Sequence, residues 1–191
     1  MTIFSKLVGS RKQSPIGKLS LAIVAGALAC GRATKSLLQF ETEEERERQF
    51  VYVCFEFLYF FLHMTLRYAH AQLDSRQRKN LQTELGPLVV LPMIDAFFNH
   101  WPEDLKRGMV AEFYQKINDA EREYATCTEV ISEDNPIAAN ALFSKLTRNV
   151  LKLSGDSPID IAKFMVPYGA SIQAWKDMHL DKHIEKVRKT L

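Results

Sequence analysis

One stretch of the chain restricts its fold more than any other. Between positions 50 and 66 stand Phe50, Val51, Val53, Cys54, Phe55, Phe57, Leu58, Phe60, Phe61, Leu62, Met64 and Leu66. Running through them at steps of three or four is a polar set: Gln49, Tyr52, Glu56, Tyr59, His63, Arg67, His70 and Asp74. That spacing is the α-helical repeat. At about 100° per residue the polar set spans an arc of roughly 80°. A helix apolar on most of its sides must be enclosed by neighbours. The polar stripe is therefore its window on water, a buried polar seam, or the lining of a site between helices.

The first of these readings leads. Tyrosine and histidine suit a half-wet edge, with local pairs such as His63–Arg67 competing against His70–Asp74. In the second, groups cut off from water pair with neighbouring helices. The third makes Glu56, Tyr59, His63 and His70 the candidate pocket lining, because Glu and His facing a bundle interior are the usual material of such sites. Geometry restrains a metal centre. Glu56 and His63 are seven residues apart, about 10 Å along a helix, and Tyr59 stands where a Glu-x-x-His di-iron element needs histidine. No metal ligand set and no cofactor are expected.

Helix-start signals recur along the rest of the chain. Thr42 with Glu45 reads as a capping box, with Glu41, Glu43, Glu44, Glu45 and Glu47 loading the first turns. Ser75 is expected to cap a short helix ending at Gly86-Pro87. Leu88 to Leu91 then reads as a connector into a helix from Pro92 to about Asn99. Pro102, Glu103 and Asp104 open another helix, whose inward stripe is Val110, Phe113, Ile117, Ala120, Tyr124, Cys127 and Ile131. Asp134-Asn135-Pro136 starts the next, running through Ile137, Leu142, Leu146 and Val150 to Gly155. Ser157-Pro158-Ile159-Asp160 is one more start, and Pro167-Tyr168-Gly169 is expected to break the chain before a final helix. The sum is all-α: a single-domain multi-helix bundle of six to eight helices around a central apolar helix near residues 42–74. One domain spans residues 1–191, with 1–13 a flexible basic segment.

The N-terminal region supports two readings. Lys6, Arg11, Lys12 and Lys18 precede an apolar run of twelve residues, Leu19 to Cys30, that ends in Ala27-Leu28-Ala29. This resembles a signal segment processed near Cys30 and would place the protein in the cell envelope. The alternative is a packed helix capped by Ser14 with Pro15 in its first turn. Its core stripe would be Ile16, Leu19, Ile23, Ala27, Cys30 and Leu37, with Ala22, Gly26 and Cys30 admitting a close neighbour. Neither this run nor Val51 to Leu66 reaches the ~20 apolar residues of a membrane span, so membrane contact is expected through the N-terminal segment alone.

Composition excludes more than it assigns. A net charge of +2 on 191 residues lacks the concentrated basic surface of a nucleic-acid binder. Three scattered cysteines, Cys30, Cys54 and Cys127, fit a reducing, cytoplasmic setting. No GxSxG elbow and no phosphate-binding glycine loop is present. His179 and His183 form an HxxxH pair, but Leu180 and Asp181 replace the residues of a metalloprotease motif, and Lys176, Lys182 and Lys186 share much of their side. The function expected is a non-enzymatic protein-interaction or structural module, with a protein partner or self-association. The alternative is a small-molecule or metal-binding bundle using the stripe.

Overall fold

The computed structural model describes residues 14–127, 140–155 and 160–191, and among these it contains seven α-helices, one 3-10 turn and no strand. Helix α1 (Pro15–Thr34) starts where the sequence supplies a cap. The Ser14 hydroxyl accepts from the Gly17 amide at 3.0 Å, and Pro15 holds the first position, where its missing N–H has no partner to lose. Ile16, Leu19, Ile23, Ala27 and Cys30 form its buried face. A 3-10 turn, Lys35–Leu37, then leads into helix α2 (Glu43–Gln72). The Thr42 hydroxyl accepts from the Glu45 amide at 3.2 Å and donates to the Glu45 carboxylate at 3.1 Å. Phe57, Phe60 and Phe61 are fully buried on α2.

Helix α3 (Ser75–Phe98) corrects the sequence reading twice. Its cap is Asp74, not Ser75: the Asp74 carboxylate accepts from the Gln77 amide while the Gln77 side chain accepts from the Asp74 amide. The helix also continues through Gly86-Pro87 and Pro92, so the expected connector at Leu88 to Leu91 is helical. An internal proline costs about 3 kcal/mol or more. Against this, Leu81, Leu85, Val89, Val90, Met93 and Ile94 are all buried, each contributing on the order of 1.5–3 kcal/mol. Tertiary burial outweighs the local break.

Helix α4 (Glu103–Ala125) buries Phe113, Ala120 and Tyr124, with Val110, Ile117 and Cys127 half-buried; Ile131 lies outside the described residues. The signals at Asp134-Asn135-Pro136, Ile137 and Ser157-Pro158-Ile159 lie outside them too, as does the basic segment 1–13. Helix α5 (Asn140–Leu153) ends before Gly155, whose φ of 75° is open to glycine. Helix α6 (Ile161–Met178) is capped by Asp160 and runs unbroken through Pro167-Tyr168-Gly169, a second correction of the same kind. The break comes at His179, in the left-handed region at φ 44°, before helix α7 (Leu180–Arg188). That turn lets Leu180, Ile184 and Val187 bury their side chains where α7 meets α1 and α2.

Two helices share the centre. α2 touches α1, α3, α4, α5 and α7, while α1 touches α2, α3, α6 and α7. They approach closely at Gly31, where an added Cβ would lie 2.2 Å from the Cys54 sulfur. At Gly26 the corresponding neighbour is the Met178 sulfur, 3.1 Å away. The region Pro15–Leu37, α2 and α3 each have the length and composition to cross a membrane, which corrects the sequence reading that the apolar runs fall short of a span. In this fold the three helices touch one another, and the apolar window of α3 is 33% buried.

Candidate functional site

The stripe on α2 divides into a buried middle and wet ends. Tyr52 is 47% exposed, and His70 and Asp74 are exposed, as a solvent edge requires. His63 is 4% exposed, so that reading does not extend to it. Glu56 reaches across to two other helices. Tyr124 of α4 donates its hydroxyl to Glu56 Oε1 at 2.5 Å, and Asn149 of α5 donates to the same oxygen at 2.9 Å and to Glu123 at 3.2 Å. Burial raises the Glu56 carboxyl above its ordinary value, opposed by the Tyr124 and Asn149 hydrogen bonds that favour the charged form. Burial likewise pushes the Tyr124 phenol well up, reinforced by the Glu56 charge.

Tyr59 lies against the Phe113 ring, with centroids 5.5 Å apart. Burial raises its phenol, and the charges of Glu56 and Glu112 add to the shift. His63 Nδ1 lies 3.0 Å from Glu121 Oε2 of α4, and its ring sits 5.6 Å from that of Tyr124. Arg67 donates to the Cys127 carbonyl at 3.0 Å. The middle of the stripe thus ties α2 to α4 and α5 by polar bonds. His63 Nε2 and Glu121 Oε1 are buried without a partner among the described residues.

Of the four candidate lining residues, His70 borders a groove on the surface of the bundle. That groove, about 390 Å³, lies where α2 meets the start of α3 and the end of α4. Leu66, Arg67, Ala69 and His70 supply one wall; Ser75, Arg78, Lys79 and Gln82 supply another, with Glu121 beside them. Arg78 also donates to the Leu73 carbonyl at 2.9 Å, closing the C-terminal end of α2. Glu56, Tyr59 and His63 lie outside the groove lining and are brought together in the interhelical seam instead.

The other candidate chemistry is dispersed. His179 is itself the α6–α7 break and His183 lies one turn into α7, and His179 borders a second groove of about 270 Å³ with Tyr68, Trp175 and Lys176. Burial, Lys186 and His179 lower the His183 imidazole. Cys30 and Cys54 are buried free thiols, each pushed up to about 12, chiefly by burial. They stay protonated and are poor nucleophiles. Among the described residues no group of three or more His, Cys, Asp and Glu could hold a metal ion.

Sequence reasoning missed Asn149, Glu121, Arg78 and Lys79. Tyr124 stood on an inward stripe, yet its bond to Glu56 spans 68 positions, and no local pattern signals such a pairing. Comparisons with protein-family models, curated proteins and solved structures find no match to the chain.

Proposed function

We propose that this chain is a non-enzymatic helical module that works through protein–protein contact, with the α3–α4 hairpin as its contact surface. One observation carries the reading. Leu91, Trp101, Leu105 and Tyr114 are 37–50% exposed on that hairpin, although each is large and apolar. The hairpin is braced by Lys106 to Asp95 at 3.3 Å and by Tyr114 lying over Gly86. Tyr and Trp are favoured contact residues, since they offer wide apolar area with few rotors. The polar middle of α2 supports the same reading, because Glu56 is bonded to Tyr124 and Asn149 of neighbouring helices. The proposal keeps the N-terminal helix in place, because cleavage near Cys30 would remove Ile16, Leu19, Ile23 and Ala27, which are 0–3% exposed, and it takes the cytoplasm as the setting.

The test is native mass spectrometry and light scattering on wild type and Trp101→Glu/Leu105→Glu. A defined oligomer or co-purifying protein that the double variant loses, with helicity kept, supports the reading. A stable monomer without a partner counts against it. The second reading, a small-molecule bundle, is favoured by the groove beside His70.

A further inference from the structure

We infer that the groove between α2, α3 and α4 binds a phosphate-type dianion, a function separate from the contact surface on the α3–α4 hairpin. Arg67, Arg78 and Lys79 are three permanent cations around one groove, with His70 beside them and, among the described residues, Glu121 as the one carboxylate in the lining. Glu121 is turned inward: its Oε2 lies 3.0 Å from His63 Nδ1 and its Oε1 is buried. The face that the described residues offer to a ligand is therefore cationic.

Geometry supports the same class. Arg67 and Arg78 are each anchored by a backbone carbonyl, Cys127 at 3.0 Å and Leu73 at 2.9 Å. An arginine held in place loses less rotamer freedom when it binds an anion, and its planar fork suits phosphate oxygens. Lys79 is exposed and makes no side-chain bond among the described residues, so its ammonium is available. Ser75 and Gln82 add neutral hydrogen-bonding groups, while Leu66 and Ala69 give the groove an apolar side. Asp74, the cap that precedes α3, has its carboxylate engaged by the Gln77 amide at 2.9 Å. The amide end of α3 is thus already occupied, and recognition falls to the side chains. A volume of about 390 Å³ admits a phosphate ester of small-metabolite size.

The shared chemistry has two sources, a soluble phosphate or a lipid headgroup, and two arms of one experiment separate them. Pyrophosphate is titrated into the full chain by calorimetry. In parallel, phosphatidylcholine vesicles with and without phosphatidic acid are tested by co-sedimentation. Saturable 1:1 pyrophosphate binding is expected, weakening at least tenfold in Lys79→Glu and with rising salt, as a charge-driven site requires. Lys79→Glu leaves helicity and melting temperature unchanged, and Arg67→Gln serves as the second variant. Binding to phosphatidic acid vesicles alone, abolished by the same variants, supports the site with a headgroup as source. Absence of binding in both arms, or binding that neither variant weakens, overturns it.

Discussion

A carboxylate placed beneath a buried phenol sets a stability slope that a pH titration can read. Glu56 accepts from Tyr124 and Asn149, and burial still raises its carboxyl above the ordinary value of 4.5. The folded chain therefore keeps this proton to a higher pH than the unfolded chain. Between the unfolded and folded values the native state binds more protons, so stability from this group falls as pH rises above about 4.5. Glu56→Gln retains an oxygen for both donors and cannot ionise. It should remove that part of the slope and leave the variant at least as stable as wild type at pH 7, in urea denaturation repeated across pH. A variant that loses stability at neutral pH would show that the charge itself is needed. The neighbouring pair behaves differently, because His63→Ala strips Glu121 of its partner and opens a void at a residue 4% exposed. A loss of about 2–4 kcal/mol is expected by the same denaturation method. The sequence made the stripe legible as a helical period, since spacing is local information. It could not reveal which stripe residues are wet, because the partners Tyr124 and Asn149 stand 68 and 93 positions away.

Helix against helix, the decisive contact is Gly31 over Cys54. A Cβ at Gly31 would lie 2.2 Å from the Cys54 sulfur, whereas its next neighbours, Cys54 Cβ and Phe50, are at an ordinary 3.5 Å. Gly31→Ala should thus destabilise the α1–α2 pair by about 1–3 kcal/mol or more through overpacking, despite the gain in helix propensity. Removing the sulfur with Cys54→Ala in the same chain should recover most of the loss, measured by thermal melts of both single variants and the double. Simple additivity of the two losses would mean that the sulfur is not the obstacle. At this scale capping was legible at most helix starts: Ser14, Thr42 and Asp160 each accept from an amide, while the cap of α3 falls on Asp74, one residue before the expected Ser75. It misled where a breaker met a buried face. Pro87, Pro92 and Pro167 lie inside helices, because the burial that outweighs them belongs to the assembled core. The true break, His179, is a residue type that carries no strong turn signal.

Taken as a whole, the molecule separates a core that tolerates no charge from a hairpin that leaves large apolar groups in water. Phe57, Phe60 and Phe61 are fully buried at the meeting of α2 with its neighbours, while Trp101 and Leu105 remain 37% and 50% exposed. Substituting glutamate at these two kinds of site should give opposite results. Phe61→Glu places an ionised group in a site with no compensating charge, a loss large enough to consume the 5–15 kcal/mol that ordinarily holds a domain folded. Circular dichroism should show the variant unfolded or without a cooperative melt. Trp101→Glu/Leu105→Glu exposes charge where water already reaches, so helicity and melting temperature should stay near wild type. If the hairpin is the contact surface, the double variant should lower the mass seen by light scattering or lose the co-purifying protein. Should it instead melt far below wild type, those side chains hold the hairpin together and the contact surface must lie elsewhere. Should it keep both fold and assembly, the exposed apolar residues are incidental, and the cationic groove becomes the stronger guide to what this bundle binds.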